Sequence, residues 1–346
     1  MKIITKYEQI DKAQWAGLVQ CSNTATWFQT SEAYEFYASL PELFYPFVVA
    51  IASSDLQKGG EKLRGVVVGY VTCEKNALKQ FATRRAIIIG GPLLADDATE
   101  EEVVTLLNGV KIVLFAKEKG MLERPIYIET RNFHDYSPWR PVFEQCGWRY
   151  EEHLNFQVDC TNWTLVEENI GRHRKKYIRL SLRDGATIVE NATIEQVREY
   201  YGLLQHLYKT KVKMPLQPWE FFEKLYRLSS CKYVLVEFEG KIVGGSVCML
   251  LLDKGVYEWF ACGNDGVFKN IHPSSVTKYA GMKFAAENGF PIFDMMGAGK
   301  PNEPYGVRDF KAEFGGKEVE YGRFVRVFKP LLFAIGKIGV KILKKI

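Results

Sequence analysis

The chain has 346 residues, a formal net charge of +5 and 47% hydrophobic residues. That length ordinarily divides into two domains, with apolar content enough for two cores and no need of covalent staples. A surplus this mild excludes overall basicity as an argument for nucleic-acid binding and leaves only local clusters to make it. Seven cysteines, at 21, 73, 146, 160, 231, 248 and 262, are odd in number and lack Cys-x-x-Cys spacing, and several sit in apolar runs such as Val247–Leu250. Reduced, buried thiols are expected. Met1–Glu8 lacks the apolar stretch of a signal peptide and no run approaches about 18 apolar residues, so a cytoplasmic, non-spanning protein is expected. No His, Cys or carboxylate spacing suits a metal ion, and neither a metal nor another cofactor is expected.

In chain order the predicted elements form one unit twice. The first copy has strands over 47–51, 65–73 and 86–89, with a polar loop over 53–62, a helix over 99–120 and a strand over 126–129. The second has strands over 233–238, 242–252 and 256–261, a helix from Pro273 to Asn288 and a strand over 292–295. Each copy then continues through a proline-containing loop with an arginine (Arg140, Arg308), a short aromatic helix and a glycine (Gly147, Gly315). Strands followed by one crossover helix imply a mixed sheet in each half, hence an α+β (mixed α/β) fold. Thr99 and Glu102 are spaced as a capping box at the first crossover helix.

The run Asp294–Gly316 joins the end of an apolar strand to a glycine-rich irregular loop and then to Phe310-Lys311, as a loop that brings backbone close to a ligand requires. Cations cluster in two places. Arg172–Arg183 reads as one helix, continuous from Trp163, with cations on one side and Tyr177, Leu180 and Ile178 on the other. In the segment 328–346, Lys337, Lys341, Lys344 and Lys345 fall three or four apart, opposite Leu332, Ile335, Ile342 and Ile346.

These stretches resemble, in order, the motifs of the FemABX-like aminoacyltransferases. Gln29-Thr-Ser-Glu-Ala-Tyr34 is similar to the first, Gly91-Pro-Leu-Leu-Ala-Asp96 to a Gly-Pro turn, Arg174–Arg179 with Asp184-Gly185 to a basic helix. Asp294-x-x-Gly297, Phe310-Lys311 and Phe314-Gly-Gly316 are similar to the last motif. The repeat itself resembles the GNAT acyltransferase fold. The resemblance implies two tandem GNAT-like domains, each a mixed, mostly antiparallel sheet flanked by helices. One would comprise 1–155 plus a returning segment 318–346, with a strand over 319–327, and the other 156–317. It also implies transfer of an aminoacyl group from aminoacyl-tRNA to an amine of a peptidoglycan or other cell-envelope precursor, lipid-linked or nucleotide-linked. The rival donor is an acyl-CoA or acyl carrier protein. Against CoA, neither crossover helix opens on an Arg-x-x-Gly-x-Gly pyrophosphate cradle: the first has Asp96, Asp97 and Glu100–Glu102, the second Lys269 and Pro273.

By the resemblance, Lys311 is the catalytic candidate, a cation placed to stabilise the tetrahedral oxyanion. An exposed lysine on a short helix is the alternative. Phe310, Tyr305, Arg308, Tyr257, Trp259, Asp294 and Gly297 are the substrate-binding candidates, although the spacing of Tyr257 and Trp259 fits a strand's core face equally and Asp294 suits a turn-former. Arg174, Lys175 and Lys176 are candidate contacts to the tRNA backbone, against the reading of a solvated face. Arg131 follows a strand, where pairing with Glu129 explains it. The tail 329–346 is expected to make a peripheral contact with anionic membrane at its inner face, or else to pack as an ordinary terminal helix. Tyr37 stands where precursor-binding members of the family carry a lysine.

Overall fold

The computed structural model describes residues 1–55 and 60–343, and it separates into two compact units, Met1–His153 with the chain from Glu320 onward, and Leu154–Val319. The first unit contains β1 (Lys2–Ile4), β2 (Phe44–Asp55), β3 (Gly60–Thr72), β4 (Ala86–Gly90), β5 (Leu93–Leu94), β6 (Tyr127–Asn132) and β7 (Arg149–Glu151). Its helices are α1 (Lys12–Cys21), α2 (Ser31–Ala38), α3 (Ala77–Thr83), α4 (Glu100–Leu114) and α5 (Arg140–Gln145). The second unit contains β8 (Leu154–Asp159), β9 (Thr187–Val189), β10 (Cys231–Phe238), β11 (Lys241–Leu251), β12 (Gly255–Gly263), β13 (Ile292–Gly297) and β14 (Lys317–Glu320). Its helices are α6 (Trp163–Asn169), α7 (Arg172–Arg183), α8 (Ile194–Leu207), α9 (Trp219–Tyr226), α10 (Pro273–Glu287) and α11 (Gly306–Ala312). The first unit is completed by β15 (Arg323–Val327) and α12 (Pro330–Leu343).

Both sheets are mixed, in the orders β1-β2-β3-β4-β6-β15-β7, with β5 on β3, and β14-β8-β13-β12-β11-β10-β9. Each contains a parallel pair, β4 with β6 and β12 with β13, bridged by its crossover helix, α4 or α10. Amphipathic burial explains the layering. In the first unit Val49, Ile51, Val67, Ile88 and Ile128 meet Leu106, Leu107 and Val110 of α4. In the second, Val256 and Phe293 meet Met282 and Ala285 of α10. The seven cysteines are free, four of them buried.

Three local expectations change. The expected continuous helix from Trp163 to Arg183 is two, because at Gly171 the backbone N–H turns to donate to the Glu313 carbonyl at 2.7 Å. The single strand expected over 319–327 is likewise two: β14 pairs with β8 and β15 pairs with β6 and β7. Gly322, at φ +60°, makes the turn, and a Cβ there would lie 2.2 Å from the Tyr150 ring. The polar loop over 53–62 is mostly the tip of the β2–β3 hairpin, paired to Asp55 and Gly60; its residues 56–59 lie outside the described residues. The helix α3 carried no apolar period and was not expected.

Arg64 ties β3 to the start of α4. Its guanidinium donates to Glu102 at 2.8 and 3.2 Å and to Asp97 at 2.8 Å, while Thr99 and Glu102 close the capping box. Arg64→Met leaves the Glu102 carboxylate buried without its cation, so urea unfolding is expected to show a loss of about 3–5 kcal/mol. The double variant with Glu102→Leu should recover most of it.

Candidate active site

The two parallel pairs differ in how far they hold together. In the first unit β4 and β6 stay in register through five pairs, Ala86 with Ile128 to Gly90 with Asn132. Gln29 seals the end of that pair: its amide donates to the Gly90 and Gly91 carbonyls at 3.2 and 2.9 Å while its carbonyl caps Thr26 at 2.7 Å. In the second unit β12 and β13 pair only at Val256 with Phe293 and Tyr257 with Asp294, then part. A β-bulge between Val247 and Cys248 of β11 leaves Trp259 as the extra residue on β12, which re-aims the chain just where the strands separate. Backbone groups on both sides of this wedge are released from the ladder.

The far side of the wedge is shaped by a buried carboxylate and a buried amine. Asp294, wholly buried, accepts from the Met296 N–H at 2.6 Å, from Gln157 at 2.9 Å and from Asn155 at 3.2 Å. That local turn places Met296 at φ +56°, a left-handed conformation a methionine adopts only when its surroundings impose it. The turned backbone converges three carbonyls, of Met295, Met296 and Gly297, on the Lys311 ammonium at 2.5, 3.1 and 2.9 Å. All three Nζ–H bonds are thereby used, so contact with a reacting oxygen requires one of them to exchange. Lys311 is buried, not an exposed lysine. Beneath lies a second buried pair, Lys278 of α10 with Glu258 of β12, and Oε1 of Glu258 has no hydrogen-bond partner among the described residues.

Burial pushes the Asp294 carboxyl up to about 6, partly opposed by its hydrogen bonds and by Lys311. Burial and then the like charge of Lys278 push Lys311 down to about 7, with Glu258 and Asp294 opposing.

The other candidates fall around this centre. Phe310 packs on Phe314 with the Arg174 guanidinium 4.4 Å above its ring. Arg174 also bonds Glu313 at 3.0 Å, so it clamps α7 to α11 and does not stand on a solvated face. Lys175 donates to the Glu168 carbonyl at 2.9 Å, closing the end of α6, and Lys176 is exposed. Tyr257 is buried opposite Asp294, while Trp259 is half-buried with its ring on Phe221. Tyr305, exposed, lies over Gly299, where a Cβ would meet its ring at 2.9 Å. Arg308 turns back on the carbonyls of Lys300, Pro301 and Glu303, folding the loop. The Glu258–Lys278 pair and the parting strands escaped sequence reasoning. A lysine on the otherwise apolar face of α10 and a glutamate between Tyr257 and Trp259 were the available signals.

Residues 167–311 match the family model described as an acetyltransferase (GNAT) domain. Among solved structures, FemX is similar over 97% of this chain and 99% of its own, at 14% identity and a TM-score of 0.72. L-PGS from Bacillus licheniformis covers 94% of this chain with 96% of its own, at 11% identity and 0.56. A tandem GNAT protein from the clavulanic acid biosynthesis pathway covers 94% with 98% of its own, at 10% identity and 0.56. A search of curated proteins found no match. The second unit thus matches a GNAT acetyltransferase domain over most of its length, and the chain has the tandem GNAT-like fold of these structures.

The two shifted groups make stability depend on pH in opposite senses. Between the ordinary 3.8 and about 6, folded Asp294 holds a proton that the unfolded chain has released, so its contribution is lost as pH rises through 6. Between about 7 and 10.5 the unfolded chain holds the proton on Lys311 that the folded chain has released, so stability recovers as pH rises. Urea midpoints across pH 4–10 should show a dip between these windows, each limb on the order of 2 kcal/mol. Asp294→Asn should flatten the acid limb and, by removing a charge that opposes the Lys311 shift, deepen the alkaline one.

Proposed function

We propose that the chain is an aminoacyltransferase that moves an aminoacyl group from aminoacyl-tRNA to an amine of a peptidoglycan or other cell-envelope precursor, with the chemistry in the second unit. The observation that carries this reading is the parting of β12 and β13 beside Lys311. It leaves a gap between two strands in which an acyl group can lie with a cation beside it, whereas the matching strands of the first unit are closed. The acceptor amine attacks the ester carbonyl, the tetrahedral oxygen takes one Nζ–H of Lys311 from its carbonyl partner, and collapse expels the ribose oxygen, which takes up the proton that the attacking nitrogen releases as the amide forms. Lys176, Arg172 and Arg179, exposed on α7, supply cations for a phosphate backbone.

A thioester donor such as acyl-CoA is the second reading, favoured by the acetyltransferase match. Against it, the start of α10 is engaged by a carboxylate, Asp265 accepting from the Ser274 N–H at 3.2 Å, where a pyrophosphate would be repelled. Incubating the protein with charged tRNA or with acyl-CoA, and analysing acceptor products by mass spectrometry, separates the two. Lys311→Ala is expected to lower turnover by about 10²-fold or more with KM little changed. Wild-type turnover in that folded variant would end the catalytic assignment.

The reading includes peripheral contact with anionic membrane through α12. Phe333 packs edge-on against Tyr127 at 4.9 Å, while Leu331, Ile335 and Ile338 are 81%, 65% and 59% exposed. Three apolar side chains at that spacing form a stripe along one helix face, with Lys329 and Lys337 beside it. Lys344, Lys345 and Ile346 lie outside the described residues. Among the described residues no helix is long and apolar enough to cross a membrane. Replacing Leu331, Ile335 and Ile338 by glutamine should abolish sedimentation with vesicles of acidic phospholipid and leave the melting temperature unchanged. Vesicle binding that survives the triple change would remove the helix from the docking surface.

A further inference from the structure

The first unit contains a concentration of guanidinium groups that its own carboxylates do not balance. Arg131 of β6 and Arg323 of β15 occupy directly facing positions, two residues beyond the pair Glu129 and Val325. Arg85 precedes β4, next to Tyr127 in the parallel register, with its guanidinium 3.5 Å from the Tyr127 hydroxyl. All three face one carboxylate, Glu129, which burial would raise but which Arg131, Arg323 and Arg85 together hold at about 2. Arg131 uses two N–H groups on a single Glu129 oxygen at 3.0 and 2.8 Å, and Arg323 reaches the other only at 3.8 Å. The Arg323 Nε–H is buried with no partner among the described residues. Glu151, the next nearest carboxylate, is engaged by Arg149 at 2.8 Å and Lys337 at 3.9 Å.

The cluster is reachable: the Arg131 and Arg323 side chains are 30% and 27% exposed, whereas Glu129 is 10% exposed. Its inner wall is aromatic. Tyr37 of α2 and Tyr70 of β3 lie with ring centroids 4.6 Å apart, and the wholly buried Tyr37 hydroxyl, which senses Arg131, has no hydrogen-bond partner among the described residues. A pure structural ion pair would need one arginine. Three arginines against one carboxylate repel one another, and in a half-buried place that repulsion is relieved by a bound anion. After Glu129 is neutralised two positive charges remain, which suits a phosphoryl group carrying close to two negative charges better than a single carboxylate.

We infer that Arg85, Arg131 and Arg323 form a phosphoryl-binding site of the first unit, which takes the phosphate of the acceptor. The assignment of that phosphate to the acceptor rests on the function proposed above, in which the acceptor is nucleotide-linked or lipid-linked and so carries phosphate next to its head group. The site itself does not rest on it. Planar guanidiniums on β6, on β15 and just before β4 grip phosphoryl oxygens in a fixed fork.

The test is calorimetric titration of the full chain with inorganic pyrophosphate at low ionic strength, repeated with uridine diphosphate and with uncharged tRNA. Saturable binding of pyrophosphate is expected, weakened at least about tenfold in Arg323→Gln and in Arg85→Gln, since each removes one charge-assisted contact. Glu129→Gln removes the competing carboxylate and is expected to tighten binding about threefold or more. Circular dichroism melts of the same variants separate lost binding from lost fold. Absence of saturable binding in the wild type, or equal binding in all variants, overturns the site. Pyrophosphate displaced by tRNA but not by uridine diphosphate overturns the acceptor assignment. If pyrophosphate binds as described and no aminoacyl transfer is found with any donor, the site stands and the proposed reaction falls; if transfer proceeds and Arg323→Gln leaves acceptor KM unchanged, the reaction stands and the acceptor assignment falls.

Discussion

The end of β13 is organised by one ammonium group and the three carbonyls gathered on it. Backbone carbonyls along a strand point alternately to opposite neighbours, so three consecutive ones can meet a single donor only if the chain turns sharply. Asp294 supplies that turn by accepting from Met296 and holding it in the left-handed region. Lys311 then meets the lone pairs that would otherwise be unsatisfied. Removing either group leaves the other buried with a lost partner, which is why two shifted ionisations of opposite sense sit a few residues from the point where β12 and β13 separate.

That separation makes two units of similar topology unlike in use. A parallel ladder carried through five pairs, with Gln29 sealing its end, has no backbone group to offer a ligand. A ladder broken after two pairs leaves a gap between its strands. The bulge at Trp259 contributes from the β12 side, and the Glu258–Lys278 pair below it keeps two charges where apolar contacts would have been the more stable choice. The first unit holds its surplus charge elsewhere, in guanidiniums on the face of β6 and β15. The proposed acyl chemistry and anion recognition thus fall on different sheets.

The terminal helix α12 shows the same economy. Phe333 fastens it by its ring to Tyr127, and Lys337 lies over that ring at 4.7 Å, so one face is held by packing. The stripe of Leu331, Ile335 and Ile338 is left uncovered by the described residues. A helix that merely completed a core would turn such residues inward, since each fully buried leucine or isoleucine contributes about 1.5–3 kcal/mol.

How much was legible in the residues follows the range of the interactions concerned. Strands of alternating or continuous apolar residues, both crossover helices and the capping box of Thr99 and Glu102 are local patterns, and they appear where periodicity and spacing placed them, except that the first crossover helix, expected to 120, ends at Leu114. The Asp294–Gly297 and Phe310-Lys311 motifs fall where a buried carboxylate and a buried ammonium meet the end of β13. Tertiary contacts decided the rest. The break at Gly171 depends on a carbonyl 142 positions away, that of Glu313. Arg174 reads as a surface cation in a basic run and becomes a clamp only because Phe310 and Glu313 are brought beneath it. Lys278 and Glu258 are separated by 20 residues, and Arg131 and Arg323 by far more, so no window of sequence reveals that either set meets. Sequence by itself determined the central strands of each sheet and the two crossover helices, because those choices are made by neighbours within a few residues. Only the tertiary structure decided which buried charges face one another and where the parallel strands part, because desolvation and pairing are settled by groups that the chain brings together from a distance.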